Sequence, residues 1–320
     1  MMKTLSCMAL SLFCAALSWG QAESASLFAA ENGDLPPAEV IRKDVQEVNL
    51  FFTARGRHGQ IRTDLKFDDF KLRDNGRPPE RISRFEAQTE VPLRVVLLLD
   101  ISDSIAEKLK AEKMAALVFL QQVIRPEVDQ VMFATFGDQV QLVQGFTGDL
   151  EQLKKSVGAV KGGGSTAFFD ALAFAAIELG RTEAGVGRHI IIVISDGQDT
   201  SSTATEKKAL AELLRSNAVV FALSTKGEFS GNALSVDIDE QGFIVLRRFA
   251  RETGGTVVDA KNRKRLASAF AQITQEIRSQ YFVAYNPAGF APDGSYRTID
   301  LSGRGLRFYA RKGYYAAASK

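Results

Sequence analysis

Three short stretches of this chain share one chemical theme: Asp100-Ile101-Ser102-Asp103-Ser104, Gly163-Gly164-Ser165-Thr166 and Ile194-Ser195-Asp196-Gly197. Each begins where an apolar run stops. The oxygens that matter are the carboxylates of Asp100 and Asp196 and the hydroxyls of Ser102, Ser104 and Thr166. Such a set suits a divalent cation of the magnesium type, which prefers hard oxygen ligands, near-octahedral geometry and some retained water. It suits nucleophilic chemistry poorly. Converged on one point, the stretches would present a partly open ion to something outside the protein.

Each stretch alone has a plainer reading. Asp-x-Ser-x-Ser after a strand is a common helix N-cap, glycines before Ser-Thr make a loop and cap, and Ser-Asp-Gly makes a turn. The conjunction, in this order and at strand ends, favours the metal.

Positioning such a site is the task of an open α/β sheet, which binds ligands beyond the carboxyl ends of its strands. The pattern for one begins after Val91-Pro92. Arg94-Val95-Val96-Leu97-Leu98-Leu99 is a continuous apolar run of the kind buried on both faces of a parallel sheet. Strand-like and helix-like segments then alternate. Helical spacing covers 105–123, 150–160, 167–179, 206–215, 244–252 and 266–280; strand patterns cover 130–136, 139–146, 188–194, 218–224 and 256–258. The expected fold class is α/β, a doubly wound, mostly parallel sheet. Asp100 closes its first strand and Asp196 its fourth, and Gly162-Gly163-Gly164 lets a loop approach closely and deliver Thr166.

The flanks read differently. Strand candidates at 45–52, 67–72 and 81–85, with a turn signal at Asp74-Asn75-Gly76, and at 281–285, 296–301 and 306–310, show no helical period. Each flank is too small to bury much surface alone. The expectation is a β-sandwich-like domain built from the N- and C-terminal segments, 45–90 pairing with 281–320, around an insertion at 91–280.

The start of the chain reads as a secretory signal peptide over residues 1–22: Lys3, an apolar run from Leu5 to Leu17, then small residues around Ser18 to Ala22. Residues 23–44, with Pro36-Pro37, read as a flexible lead-in. Both cysteines, Cys7 and Cys14, fall in the signal segment, so the mature protein would use no disulfide. No later run reaches membrane length. With 320 residues, 45% hydrophobic, and a formal net charge of +2, nothing in the balance calls for nucleic acid or a strongly anionic membrane as the main partner.

On these residues, the segment from about Leu93 to Gln280 resembles a von Willebrand factor type A domain. Asp100, Ser102 and Ser104 match the first element of that family's metal-ion-dependent adhesion site, Thr166 the second and Asp196 the third. The resemblance implies that these five hold magnesium or manganese, directly or through water, and that an acidic residue of a partner protein completes the shell. Asp69 to Gly76 and Ala310 to Tyr315 resemble the flanks of the VWFA-related acidobacterial domain family, which implies no established activity. Asp103 departs from the glycine and Ile105 from the methionine that many relatives carry. Asp103 either adds negative charge near the ion or points away to cap the helix, and Asp199 reads as a surface turn residue.

Catalytic equipment is sparse. His58 lies in an expected turn and His189 at the start of a buried strand; neither reads as a base, and Ser102 has no histidine partner for a hydrolase triad. Lys161 precedes its glycines, whereas a phosphate-binding P-loop needs the lysine after them, and zinc lacks its ligands. The basic runs 261–265 and 304–312 read most simply as solvated faces. The expected function is therefore non-enzymatic: an exported, periplasmic or secreted, module that binds a partner protein through Mg2+ or Mn2+. A scaffold stapled by its metal is the structural alternative, and a metal-assisted phosphoesterase, which would want more carboxylates and a base, the enzymatic one.

Overall fold

The computed structural model describes residues 47–87, 91–103, 109–182, 187–225, 238–260 and 262–316. The expected signal peptide, the lead-in, both cysteines, Ser104 and Ile105 lie outside the described residues. The chain divides into two units, Met1–Asp44 and Val45–Lys320, and everything below concerns the second.

The longest apolar runs build its centre. β4 (Leu93–Asp100) pairs in parallel with β5 (Gln130–Phe136) on one side and β7 (Arg188–Ser195) on the other. β8 (Val219–Ser224) and β9 (Val257–Asp259) continue the parallel set, and β6 (Val140–Thr147) turns back antiparallel on β5. The order is β6-β5-β4-β7-β8-β9. Successive strands step one way from β4 to β5 and the other way from β7 to β9, so the switch point lies between β4 and β7.

Both faces of the sheet are covered, as a strand without polar alternation requires. The odd-numbered residues Val95, Leu97 and Leu99 pack with α1 (Leu109–Val123), α2 (Leu150–Ala159) and α6 (Arg263–Arg278). Val96 and Leu98 face α3 (Phe168–Gly180), α4 (Glu206–Arg215) and α5 (Ile238–Thr253). Helix starts follow capping chemistry: Asp149 accepts from the amides of Glu151 and Gln152, Thr205 from Lys208 and Asn262 from Arg265. α5 starts six residues before the expected 244, because its first residues, with Asp239, Glu240, Gln241 and Gly242, carry no apolar period to betray it.

The flanks form two antiparallel sheets. β1 (Val48–Arg55), β3 (Arg81–Ala87), β10 (Tyr281–Asn286) and β12 (Arg307–Ala310) make the first, in the order β12-β1-β10-β3. β2 (Lys71–Asp74), β11 (Tyr296–Ser302) and β13 (Gly313–Tyr315) make the second, in the order β13-β11-β2. Leu50, Phe52, Tyr281 and Val283 from one sheet meet Leu72, Ile299 and Tyr314 from the other in a single core. The fold class expected from the sequence is the one observed: a mostly parallel α/β sheet beside a β-sandwich built from both ends of the described chain.

Candidate functional site

At the switch point the main chain of β4 runs out into Asp100, which is fully buried, and then Ser102, 2% exposed. The amide of Ser102 donates to Asp100 Oδ1 at 2.9 Å. The hydroxyl of Ser195, the last residue of the neighbouring β7, donates to Asp100 Oδ2 at 2.7 Å and itself accepts from the Gly197 amide at 3.0 Å. Both carboxylate oxygens are thus held by groups at a strand end or two residues beyond one, which fixes the carboxylate plane.

Three loops are stitched together in pairs here. Between the first and second, Gly163 N donates to Ile101 O at 2.7 Å and Asp103 N to Gly164 O at 3.0 Å. Between the second and third, Thr166 N donates to Thr200 Oγ1 at 2.9 Å, and the Thr166 carbonyl accepts from Thr200 N at 2.8 Å and Ser201 N at 3.1 Å. The Ser195–Asp100 bond joins the first to the third. Asp100, Ser102, Thr166 and Asp196 are all at most 5% exposed. Ser104, the remaining candidate, lies outside the described residues.

Asp196 Oδ1 accepts from the Gln198 amide at 3.1 Å. Gly197 follows with φ of +81°, a region L side chains rarely adopt, and a Cβ there would come 2.2 Å from the Gly242 carbonyl. Glycine is therefore required after Asp196, and it packs the third loop onto α5.

The electrostatics are those of a site short of positive charge. Burial pushes the Asp100 carboxyl up to about 6; the negative charge of Asp196 pushes the same way, while hydrogen bonds from Ser102 and Ser195 oppose both. The hydroxyl of Ser201, beside Thr166, is buried with no partner among the described residues. Two buried carboxylates, hydroxyl donors and a carboxyl whose ionisation is disfavoured fit a divalent oxygen-seeking cation. Among the described residues no group of three or more His, Cys, Asp or Glu side chains could hold a metal, so hydroxyls would have to supply the remaining ligands.

The surrounding residues include several that carried no readable signal. Ser195, the last residue of β7, carries no chemical signal in the sequence that sets it apart from a turn residue. Asp138, just after β5, accepts from the Ser165 amide at 2.7 Å and the Ser165 hydroxyl at 2.5 Å; these bonds hold its carboxyl below the usual range. Asp199, expected at a surface turn, accepts from the Phe169 amide at 3.2 Å in the first turn of α3 and from the Ser202 hydroxyl. Asp103, exposed, accepts from the Gly164 amide at 3.3 Å, so its described contact is to the glycine loop. Helix capping by Asp103 concerns positions outside the described residues. His189 is half-buried, with Nδ1 2.6 Å from the Ser216 carbonyl and Nε2 3.1 Å from the Thr182 hydroxyl.

A family model described as von Willebrand factor type A domain matches residues 95–198. Among solved structures, the chain is similar to the conserved hypothetical protein BatB from Bacteroides thetaiotaomicron, with 22% identity over 58% of this chain and 97% of that one and a TM-score of 0.46. It is also similar to an aerotolerance-related membrane protein from Bacteroides fragilis, with 23% identity over 58% of this chain and 98% of that one and a TM-score of 0.44. A von Willebrand factor type A structure from Catenulispora acidiphila covers 87% of this chain and 76% of its own, at 14% identity and a TM-score of 0.49. No curated protein matches the chain. Residues 95–198, from β4 through the Asp196 loop, are thus similar to a von Willebrand factor type A domain.

Proposed function

We propose that this protein recognises a partner protein through a divalent cation, Mg2+ or Mn2+, held by Asp100, Ser102, Ser104, Thr166 and Asp196. The observation that carries the reading is the pairwise hydrogen bonding of three loops at the β4/β7 switch point, which gathers two buried carboxylates and their neighbouring hydroxyls. When bound, the cation supplies an electrophilic centre that can accept a carboxylate oxygen from the partner.

The chain's own residues set how that centre behaves. Ser102 N and Ser195 Oγ each take up part of the Asp100 charge, and Gln198 N takes up part of that on Asp196. Carboxylates already engaged in this way neutralise a cation incompletely, which favours an external anionic ligand. The Gly163-Gly164 turn, with φ of +140° and +103°, brings main chain rather than side chains against the first loop and keeps the rim low.

The reading makes the protein a binding module and not an enzyme, and the basic, apolar and small-residue succession over residues 3–22 supports export to the periplasm or beyond. No helix among the described residues is long and apolar enough to cross a membrane.

The test has two stages. Titration of Mn2+ followed by electron paramagnetic resonance should show one site in the wild type and none in Asp100→Ala or Asp196→Ala, with circular dichroism unchanged. Capture of a partner from envelope and culture extracts should then need Mg2+ and fail with EDTA and with Thr166→Ala. Capture indifferent to EDTA and to Asp100→Ala overturns the reading. Loss of thermal stability on chelation, with no metal-sensitive partner, would point to a metal that staples the loops.

A further inference from the structure

Away from the metal loops, the seam between the α/β sheet and the β-sandwich opens into a cleft of about 470 Å³ with an unusual charge. Arg55, Arg247, Arg251, Arg307 and Lys312 line it, and no Asp or Glu does. The cations come from both sides: Arg247 and Arg251 from α5, Arg55 and Arg307 from β1 and β12, and Lys312 from just after β12. Yet the chain as a whole carries a formal charge of only +2. The basic run 304–312 is thus not simply a solvated face, since two of its members turn into a concave site.

Two of the five cations are already matched. Arg55 pairs with the buried Glu276, which also accepts from the Thr256 hydroxyl at 2.9 Å, and Arg251 lies 3.1 Å from Glu252. Arg247, Arg307 and Lys312 form no ion pair or side-chain hydrogen bond among the described residues. Three unmatched cations around one concave surface raise the local concentration of anions there.

Backbone contacts also tie the two walls of the cleft together. Thr253 and Arg311 form an antiparallel bridge across the seam, and Lys312 N donates to the Glu252 carbonyl at 3.0 Å. Gly254, at φ of +88°, packs so tightly that a Cβ would lie 2.5 Å from Arg311 N. The cations therefore face one another across walls whose backbones are tied together. The aromatic rings of Phe243 and Tyr309 add flat apolar surface, with the Arg55 guanidinium already 5.5 Å above the Tyr309 ring. A volume of this size holds a small molecule or the end of a chain.

We infer that this seam cleft binds a small polyvalent oxyanion, its charged groups phosphate or carboxylate, gripped by Arg247, Arg307 and Lys312 from opposite walls. Arginine suits such groups because its planar fork donates two parallel hydrogen bonds to them.

Calorimetric titration of the full chain, freed of metal on a chelating resin and held in a buffer without polyanions, keeps the metal site out of the readout and tests this with three probes. Pyrophosphate and citrate separate phosphate from carboxylate recognition, and ADP adds a ring that the aromatic wall can hold. At least one probe should bind saturably at one site. Arg247→Gln and Arg307→Gln should each weaken it about tenfold or more, the loss expected for a charge-assisted hydrogen bond. Lys155→Gln, on α2 at the opposite edge of the sheet, should leave it unchanged. No saturable binding by any probe, equal weakening by Lys155→Gln, or affinity untouched in the Arg247→Gln/Arg307→Gln double variant would overturn the inference. Thermal melts of each variant exclude unfolding as the cause of a loss.

Discussion

The hydroxyl of Ser195 and the carboxylate of Asp100, 95 residues apart in sequence, meet at 2.7 Å where β7 and β4 end side by side. That bond closes the floor of the candidate metal site, and it makes Ser195 a positioning residue that need not touch the ion. Ser195→Ala would leave Asp100 Oδ2 and the Gly197 amide without this partner. Groups that orient a metal ligand from behind are worth roughly ten- to a hundredfold in affinity. Mn2+ affinity measured by electron paramagnetic resonance should fall in that range, with the site still present. A value equal to wild type would show that Asp100 holds its orientation without Ser195.

Asp100→Asn should separate stability from metal binding. The folded-state pKa of Asp100 is raised from 3.8 to about 6, so its favourable contribution is complete below the unfolded value and lost as pH rises through about 6. At pH 7 without metal the charged group is a cost of about 3 kcal/mol. The amide removes that cost. In EDTA, Asp100→Asn should melt several degrees higher than wild type at pH 7, with the gap closing toward pH 4, while binding no Mn2+. A lower melting point at pH 7 would mean that the carboxylate hydrogen bonds outweigh the burial of charge.

How much of this was legible beforehand depended on whether a residue's partner lay nearby in sequence. Val95 to Leu99 announced a strand covered on both faces because burial on both faces removes polar alternation, and that pattern is local. Asp100 and Asp196 stood out because each closes an apolar run, and Thr166 because it follows a run of three glycines and a serine. Ser195 did not, since its role exists only once β4 and β7 are neighbours. Asp199 reads as a turn residue in the sequence because nothing in its surroundings announces the α3 amide it caps 30 residues earlier. Arg307 and Lys312 resembled any solvated basic run until α5 was placed opposite them.

His189 offers a pH-dependent test at the opposite end of the strands. Burial lowers its pKa below 6.5, the Arg94 charge adds to this, and the hydrogen bond to the Ser216 carbonyl opposes it. For a base whose folded pKa is depressed, the stabilising contribution is present above 6.5 and is lost as pH falls from there through the folded value. Wild-type stability should therefore decline on acidification from pH 7 by more than that of His189→Gln. Urea midpoints at pH 7.5 and 5.5 measure the difference. Parallel declines would show that the imidazole protonates as readily folded as unfolded.

Asp74 carries the last prediction, because a residue read only as the start of a turn is also the polar centre of the sandwich. It does open the turn, its amide donating to the Arg77 carbonyl at 2.8 Å. Its fully buried carboxylate also accepts from Tyr285 at 2.7 Å, Tyr314 at 2.9 Å and Arg297 Nε at 2.7 Å. Burial and the adjacent negative charge push both phenols well above the usual tyrosine value, so they remain neutral donors. Asp74→Ala strands a buried guanidinium and two phenols, and breaking such a pair costs about 3–5 kcal/mol. Asp74→Asn keeps one acceptor and should cost less, about 1–3 kcal/mol. Urea unfolding should show this ordering in the midpoints with an unchanged slope. Because the Asp100 loops draw none of their hydrogen bonds from Asp74, the folded fraction of Asp74→Asn should bind Mn2+ with wild-type affinity. A matching loss of metal binding would mean that the sandwich and the metal loops are energetically coupled.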